Sequence, residues 1–256
     1  MPWLGGTCRD ARYPALAGDW AVGCFGGPVN RAVNLETGQQ VELERAVDSP
    51  GLADGVLIGA AGWWHLPSGT PTDKPSPVEA IGPFSTDGQR AVVTTPVSIE
   101  ILDGNTRESI EAAPTPWRAP AIGDGFVAWV EDEVVMMAPE DGAAVQWAEG
   151  RHVSADGPTI AWLDDERVCL QRVGAMKQCT WTDAHTARGL SLDGDVACWE
   201  SWNGEDVDIA CSDGFGVDGP GHQRGPSRSE GWLLYRENGQ TRLVRLPVAA
   251  PDPASE

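Results

Sequence analysis

Residues 155–162 read ADGPTIAW, an acidic residue and a glycine followed by a short apolar run that ends in tryptophan. The same order recurs in GDGFVAW at 123–129 and in LDGDVACW at 192–199. An acidic-Gly pair is typical of a tight turn, because glycine adopts positive φ without a steric penalty. The apolar run after the turn favours a β-strand. A turn that leads into a strand is therefore repeated along this chain.

The repeat extends over most of the 256 residues. Seven acidic anchors beside a glycine occur, at Asp19, Asp54, Asp87, Asp124, Asp156, Asp193 and Glu230, with gaps of 35, 33, 37, 32, 37 and 37 residues. A second turn marker follows each of the first six anchors by 15–21 residues, with its glycine at Gly38, Gly69, Gly104, Gly142, Gly174 or Gly214. Because two signals share one period, the sequence predicts seven structural units of similar length.

Each unit has the composition of short strands. The fourth contains the runs FVAWV, VVMMA and AVQWA, separated by acidic turns, and no unit offers ten residues of helical periodicity with caps. A unit of this size cannot bury both of its faces, so the copies must stack, and a ring leaves no open end. We therefore predict an all-β fold: a single β-propeller over residues 1–248, with seven blades of three to four short antiparallel strands. The N-terminal segment is expected to complete the seventh blade and close the ring, and residues 249–256 are expected to form a disordered tail.

A resemblance to known proteins supports this architecture. The stretches FSTDGQRAVV (84–93), VSADGPTIAW (153–162) and LSLDGDVACW (190–199) resemble the "SPDG…IAF" repeat of TolB-like and WD40-like β-propellers. The resemblance implies the propeller architecture and no particular activity. The Pro of "SPDG" and the "GH…WD" pairing are absent, so the WD40 hydrogen-bond network is not implied. Trp129, Trp162 and Trp199 follow their anchors by five or six residues, and we expect them to fill the gaps between neighbouring sheets.

The spacing of the cysteines predicts disulfide bonds. Cys169 and Cys179 are symmetric about Gly174, and Cys198 and Cys211 are symmetric about residues 203–205. Residues equidistant from a hairpin turn face each other with Cβ atoms about 4.5–5.5 Å apart, close to the separation in a disulfide.

The remaining two cysteines, Cys8 and Cys24, would pair by elimination. Zinc sites usually space their cysteines by two to four residues, which does not occur here, and the four histidines are scattered. Three bridges imply an oxidising compartment, so the protein is expected to be secreted, periplasmic or exposed on the cell surface. We accordingly expect that a signal peptide was removed ahead of this sequence.

The charge excludes several partners. The chain carries 38 acidic and 18 basic residues, a net charge of −20. Nucleic acid and anionic membrane surfaces both attract clustered Lys and Arg, so neither is expected as a partner. No stretch approaches the roughly 18 consecutive apolar residues of a membrane span, so direct membrane insertion is not expected.

Motifs of known chemistry are scarce. There is no G-x-S-x-G, no H-E-x-x-H and no phosphate-binding glycine loop, so we predict no catalytic residue. The segment NGEDVD at 203–208 offers several oxygen ligands for calcium, although it is not a full EF-hand loop, and calcium is the one cofactor considered.

Three features depart from the repeat and are candidate binding residues. The segment 62–77 places Trp63, Trp64 and His65 before a Pro-rich stretch. The segment 212–231 is expected to be a long strandless connection, and it carries Phe215, His222, Arg224 and Arg228. The third feature consists of tryptophans outside the repeated position, namely Trp117, Trp147, Trp181 and Trp202. For each feature, packing or an ordinary loop is the alternative explanation.

These observations favour a non-catalytic, extracytoplasmic scaffold that binds a protein through loops on one face, because catalytic groupings are absent and the predicted scaffold is rigid and bridged by disulfides. A carbohydrate-binding propeller is an alternative, given 12 tryptophans, and it would repeat one aromatic-plus-polar pocket in several blades. A polysaccharide-active hydrolase or lyase is a second alternative, which requires carboxylates or histidines that converge at the central channel.

Overall fold

The computed structural model describes residues 14–23, 31–43, 50–53, 55–59, 62–72, 84–103, 106–115, 118–182, 189–238 and 240–247. Within these ranges the chain forms 27 strands in seven antiparallel sheets, and no helix in them is long and apolar enough to cross a bilayer. Each sheet is one blade of a β-propeller, so the predicted all-β, seven-bladed fold is confirmed. The segments expected to close the ring and to form the tail, together with Cys8 and Cys24, lie outside the described residues.

The strands follow one another in sequence order within each blade. Blade 1 contains β1 (Ala15–Ala17), β2 (Trp20–Gly23), β3 (Arg31–Asn34) and β4 (Gln40–Glu42), and blade 2 contains β5 (Gly51–Ala53), β6 (Val56–Gly59), β7 (Gly62–His65) and β8 (Thr70–Pro71). Blade 3 contains β9 (Phe84–Thr86), β10 (Arg90–Thr94), β11 (Ser98–Asp103) and β12 (Thr106–Glu111), and blade 4 contains β13 (Ala121–Gly123), β14 (Phe126–Glu131), β15 (Val134–Pro139) and β16 (Val145–Glu149).

The same order continues in the second half of the chain. Blade 5 contains β17 (Val153–Asp156), β18 (Thr159–Asp164), β19 (Arg167–Arg172) and β20 (Gln178–Trp181). Blade 6 contains β21 (Leu190–Asp193), β22 (Val196–Trp202), β23 (Val207–Cys211) and β24 (Gly216–Val217), and blade 7 contains β25 (Gln223–Ser229), β26 (Trp232–Glu237) and β27 (Gln240–Arg245).

In the described part of the chain, the acidic anchors lie at the turn between the first and second strands of their blades. Gly157 in blade 5 has a φ of 52° and Gly194 in blade 6 has a φ of 58°, which is the left-handed conformation that favours glycine. The second turn marker joins the third and fourth strands, as at Gly38 and Gly174. The period read from the sequence is therefore the period of the blade.

The hydrophobic core is divided among the interfaces between blades. Seven clusters of buried side chains occur among the described residues, and each combines two adjacent blades. Trp129 packs against blade 3, Trp162 against blade 4 and Trp199 against blade 5, and all three rings are buried. The prediction that the repeated tryptophan fills the gap between neighbouring sheets is confirmed.

The last blade packs directly against the first. Leu234 on β26 packs against Leu16 and Ala21 of blade 1. The backbone N–H of Leu16 donates to Ser227 Oγ at 2.9 Å, and that of Gly18 donates to Ser229 Oγ at 2.8 Å. These contacts close the ring.

Two of the predicted disulfides are confirmed. Cys169 faces Cys179 across β19 and β20, and Cys198 faces Cys211 across β22 and β23. Both pairs are bonded, in the adjacent blades 5 and 6. The hairpin symmetry around the turn glycines therefore gave the correct partners.

The prediction that residues 212–231 form a strandless connection is wrong. The segment contains β24 and all of β25, which is the innermost strand of blade 7. The sequence QRGPSRS at 223–229 lacks strong β-formers and carries a register shift between Arg224 and Ser227. Pairing with β26 and a hydrogen bond of 2.8 Å from Gly225 N–H to the buried Glu200 Oε1 hold it extended, so tertiary contacts override local propensity.

Blade 3 contains a buried carboxylate with a complete set of donors. Glu100 on β11 accepts hydrogen bonds from Ser98 at 2.7 Å, Ser109 at 3.1 Å and Arg107 at 2.6 Å. Burial alone would raise the pKa of Glu100, but these three hydrogen bonds and the charge of Arg107 outweigh it and lower the pKa below the ordinary 4.5.

The two faces of the ring differ in their loops. Because successive strands are antiparallel, the turns after the first and third strands of every blade lie at one end. We call this end the anchor face; it includes turns 18–19, 124–125, 157–158, 194–195 and 230–231. The opposite end, the link face, carries the turns after the second strands, such as 132–133, 165–166 and 203–206, and the connections between blades.

Candidate functional site

A central channel of about 820 Å³ runs between the first strands of all seven blades. Around its anchor-face mouth lie five carboxylates, contributed by Asp87, Asp124, Asp156, Asp193 and Glu230. At the link-face mouth lie Arg118 and His152, whose Nη1 and Nε2 atoms are in contact. The repeat thus makes one mouth acidic, because the anchor residues of five units lie there.

Two of the anchor carboxylates, those of Asp87 and Asp156, stabilise turns and join blades. Asp87 Oδ1 accepts from the backbone N–H of Gln89 at 3.0 Å and of Arg90 at 2.7 Å. Asp156 Oδ2 accepts from the N–H of Gly194 in the next blade at 2.6 Å. These carboxylates therefore have a structural role in the ring.

Arg228 is the basic residue among these acids. Its side chain is 13% exposed, and it pairs with Asp213 at 2.7 Å and with Asp193 at 3.6 Å. Burial raises the pKa of Asp193 above its ordinary value; Arg228 opposes this rise and the Asp156 carboxylate adds to it. Burial would also raise the pKa of Asp213, but hydrogen bonds from Arg228 and from the Phe215 backbone outweigh it and lower that pKa.

On the link face, the structure brings together two residues that the sequence placed in different segments. Trp202 ends β22, and His222 precedes β25 in the connection from blade 6 to blade 7. The two rings stack with centroids 6.5 Å apart and planes inclined by 22°. His222 Nδ1 accepts from the backbone N–H of Val207 at 3.2 Å. Trp202 is 36% exposed.

The turn beside Trp202 is fastened by its own polar groups. Asn203 Oδ1 accepts from the N–H groups of Glu205 and Asp206 at 2.8 and 3.0 Å. The Asn203 amide donates to Asp206 Oδ1 and to Asp208 Oδ2, both at 2.7 Å, and Gly221 N–H donates to Asp206 Oδ2 at 2.9 Å. Amide donors thus bind both carboxylate oxygens of Asp206 and one of Asp208. The described residues contain no group of three or more His, Cys, Asp or Glu placed to hold a metal ion, and calcium binding at 203–208 stays a prediction.

A second exposed tryptophan lies on the link face of the adjacent blade. Trp181 ends β20, opposite Arg167 at the start of β19, and is 72% exposed. The Arg167 guanidinium lies over the Trp181 ring, 5.6 Å from its centroid. Of the other two tryptophans in this group, Trp147 is partly buried against the core between blades 4 and 5, and Trp117 lies outside the described residues.

The other predicted binding residues do not form one site. Trp63 is 1% exposed and packs against blade 3, whereas Trp64 is 9% exposed and packs against blade 1. Neighbouring residues of a strand point to opposite faces, and in a ring both faces are covered, so the two rings are packing residues and not part of a surface.

The remaining predicted residues divide between the two faces. His65 and Phe215 lie at the anchor face; His65 is exposed and bonds Ser68 Oγ at 2.9 Å, and Phe215 is partly buried. Arg228 lies at the acidic mouth, and Arg224 is exposed near His222 in sequence. The structure therefore unites only Trp202 and His222.

Sequence reasoning missed the link-face pair Arg118–His152 and the buried carboxylate of Glu200. Each depends on a contact between two blades, made by residues that are more than 20 positions apart in the sequence. A single sequence offers no signal for such a contact. The repeated tryptophans are buried, so within the described part of the chain they provide no repeated sugar-stacking pocket.

Comparison with known proteins gives the fold. Neither a protein-family model nor a curated protein sequence matches the chain. Among solved structures, PorZ of Porphyromonas gingivalis, a surface component of the type-IX secretion system, is 12% identical over 96% of this chain, with a TM-score of 0.60; the chain spans 39% of PorZ. Virginiamycin B lyase of Staphylococcus aureus is 10% identical with a TM-score of 0.59 (90% of this chain, 93% of that one), and BamB of Moraxella catarrhalis is 15% identical with a TM-score of 0.50 (96% and 84%). At these identities the likeness shows the β-propeller fold alone.

Proposed function

We propose that this protein is a non-catalytic, extracytoplasmic docking module that binds a protein partner through its link face. One observation carries the proposal: Trp181 and Trp202 are exposed at the link face of the adjacent blades 5 and 6. The tryptophans of the repeated position are buried, so exposure of these two is not required by the fold. Exposed indole rings are enriched at the energetic centres of protein interfaces.

The two blades that carry these rings are also the two described blades with a disulfide. Cys169–Cys179 crosses blade 5 and Cys198–Cys211 crosses blade 6. A covalent cross-link restricts the hairpin that presents each tryptophan, which reduces the conformational entropy lost on binding. The arrangement therefore favours a preorganised docking surface.

The location follows from the same bonds. Disulfides persist in oxidising compartments, which supports a secreted, periplasmic or surface protein. PorZ, which shares the fold, is a bacterial surface component. That likeness makes a similar location plausible for this chain and says nothing about its partner.

Site-specific photo-cross-linking in the native envelope tests the proposal. A photoreactive residue is placed at Thr180 or Glu205 on the link face and, as matched controls, at Glu36 or Asp141 on the anchor face; all four are exposed. We expect both link-face probes to trap the same protein and the anchor-face probes to trap none. The purified partner should then bind the double variant W181A/W202A at least tenfold more weakly, as for loss of two interface residues. Cross-links from the anchor face alone would contradict the proposal.

A second candidate function, a polysaccharide hydrolase or lyase, is favoured by the five carboxylates at the anchor-face mouth. The raised pKa of Asp193 beside Asp156 is the pattern of an acid–base pair. Turnover of a polysaccharide that D193N abolishes, and that E36Q leaves unchanged, would establish this alternative.

A further inference from the structure

The tryptophans of this protein differ in whether the chain supplies them with a cation. Arg167 lies over Trp181 at 5.6 Å, Arg245 over Trp232 at 5.7 Å and Lys177 over Trp162 at 5.8 Å. Among the described residues no arginine or lysine lies over the ring of Trp202, although this ring is 36% exposed. Trp202 is thus an exposed ring whose face carries no cation from the described part of the chain, and such a face attracts cations.

We propose that the Trp202 ring and the Glu205 carboxylate of the adjoining turn receive an arginine or lysine side chain of the protein partner. The inference rests on the docking function proposed above and specifies its chemistry. Glu205 is exposed and follows Trp202 by three residues. An aromatic face beside a carboxylate binds a guanidinium or ammonium by cation–π attraction together with a charge-assisted hydrogen bond.

The turn and its neighbour keep this receptor in one conformation. Asn203 holds the backbone of residues 205 and 206, and the link residue Gly221 is bonded to Asp206. His222 stacks on Trp202, and its Nδ1 accepts the Val207 N–H. The imidazole thus supports one face of the indole.

The surrounding charge selects a basic partner over a neutral or acidic one. Exposed acids occupy the link-face turns of three adjacent blades, at Asp132, Glu133, Asp165, Glu166 and Glu205. Arg167, on the adjacent blade 5, is already paired with Asp164 and lies over Trp181. On a chain of net charge −20, this field accelerates the approach of a basic segment.

The test uses hexa-arginine as the probe and hexa-glutamate as its control, titrated calorimetrically into the purified full chain at low and physiological salt. We expect W202A to weaken hexa-arginine binding by roughly three- to thirty-fold, the range that a cation–π contact supplies. M176A is the matched control: it removes an exposed apolar side chain from the anchor face, outside the proposed docking surface, so affinity should stay within about twofold. Equal losses in the two variants, or no loss in W202A, would overturn the proposal.

A charge pair of variants tests the second half of the receptor. E205Q on the link face and E36Q on the anchor face each remove one exposed charge. E205Q should weaken hexa-arginine binding and flatten its salt dependence, and E36Q should do neither. Unchanged thermal midpoints will show that all four variants are folded, since each altered side chain is exposed.

The two proposals fail separately. If the link face traps a partner but W202A binds hexa-arginine like the wild type, the docking face stands and the cation receptor is wrong. If W202A loses hexa-arginine but no link-face probe traps a protein, the docking function is wrong. Saturable binding of a neutral glycan that W202A abolishes, without any binding of hexa-arginine, would replace both with a lectin function.

Discussion

Removal of the bridge across blade 5 gives a quantitative test of the fold and of the proposed compartment. The variant C169A/C179A opens a loop whose ends are 10 residues apart, and C198A/C211A opens one of 13 residues in blade 6. The chain-entropy relation assigns about 2.7 and about 2.9 kcal/mol to these loops at 25 °C. Cys169 is fully buried, so loss of its sulfur adds a small cavity and brings the expected cost to about 3–4 kcal/mol. A domain stabilised by about 5–15 kcal/mol loses a large share of its stability in this way.

Urea unfolding, followed by circular dichroism and by tryptophan fluorescence, measures this loss. Both double variants should unfold at lower urea than the wild type. Because the bridges lie in different blades, their costs should add within about 0.5 kcal/mol in the quadruple variant. Reductant should lower the urea midpoint of the wild type. It should also lower the midpoint of each double variant, because it opens the bridge that the variant retains. A wild-type midpoint that does not respond to reductant, together with alkylation of Cys169 and Cys179 in the untreated protein, would refute the bridges and the oxidising location that follows from them.

Three further predictions concern single side chains. W162A should destabilise the protein by about 3–5 kcal/mol, because the ring is buried between blades, whereas the exposed W181A should cost less than about 0.5 kcal/mol in the same urea experiment. The lowered pKa of Glu100 stabilises the fold at pH values above the ordinary 4.5, and this contribution is lost as the pH falls through the folded-state pKa; E100Q should therefore flatten the acid side of the stability curve. R228M should cost about 1–3 kcal/mol by leaving two carboxylates without their donor, and R31M, which breaks an exposed pair, should cost less than about 1 kcal/mol; equal thermal shifts would contradict this difference.

The sequence predicts those parts of the fold that a short local pattern specifies, namely the turns and hairpins of the blades. The tight turn needs a positive φ, which glycine adopts easily and few other residues do. Asp156-Gly157 therefore marks a turn whatever surrounds it. The symmetry of Cys169 and Cys179 about Gly174 likewise needs only one hairpin. Neither inference depends on contacts between distant parts of the chain.

The wrong predictions concern residues whose conformation or burial depends on contacts with the neighbouring blade. Residues 223–229 are extended because β26 and Glu200 hold them, and no propensity of QRGPSRS reports this. Trp63 and Trp64 looked like an exposed aromatic pair, but a sheet in a ring has neighbours on both faces and buries both. The contact of Trp202 with His222 joins residues 20 positions apart, so the sequence named each residue without indicating that they meet.

The hydrogen bonds from Leu16 and Gly18 to Ser227 and Ser229 connect residues 211 positions apart. During synthesis, one face of blade 1 therefore stays uncovered until blade 7 has been made. A nascent chain halted before residue 225 would leave Leu16, Ala21 and Val33 open to water, an oily surface that invites aggregation.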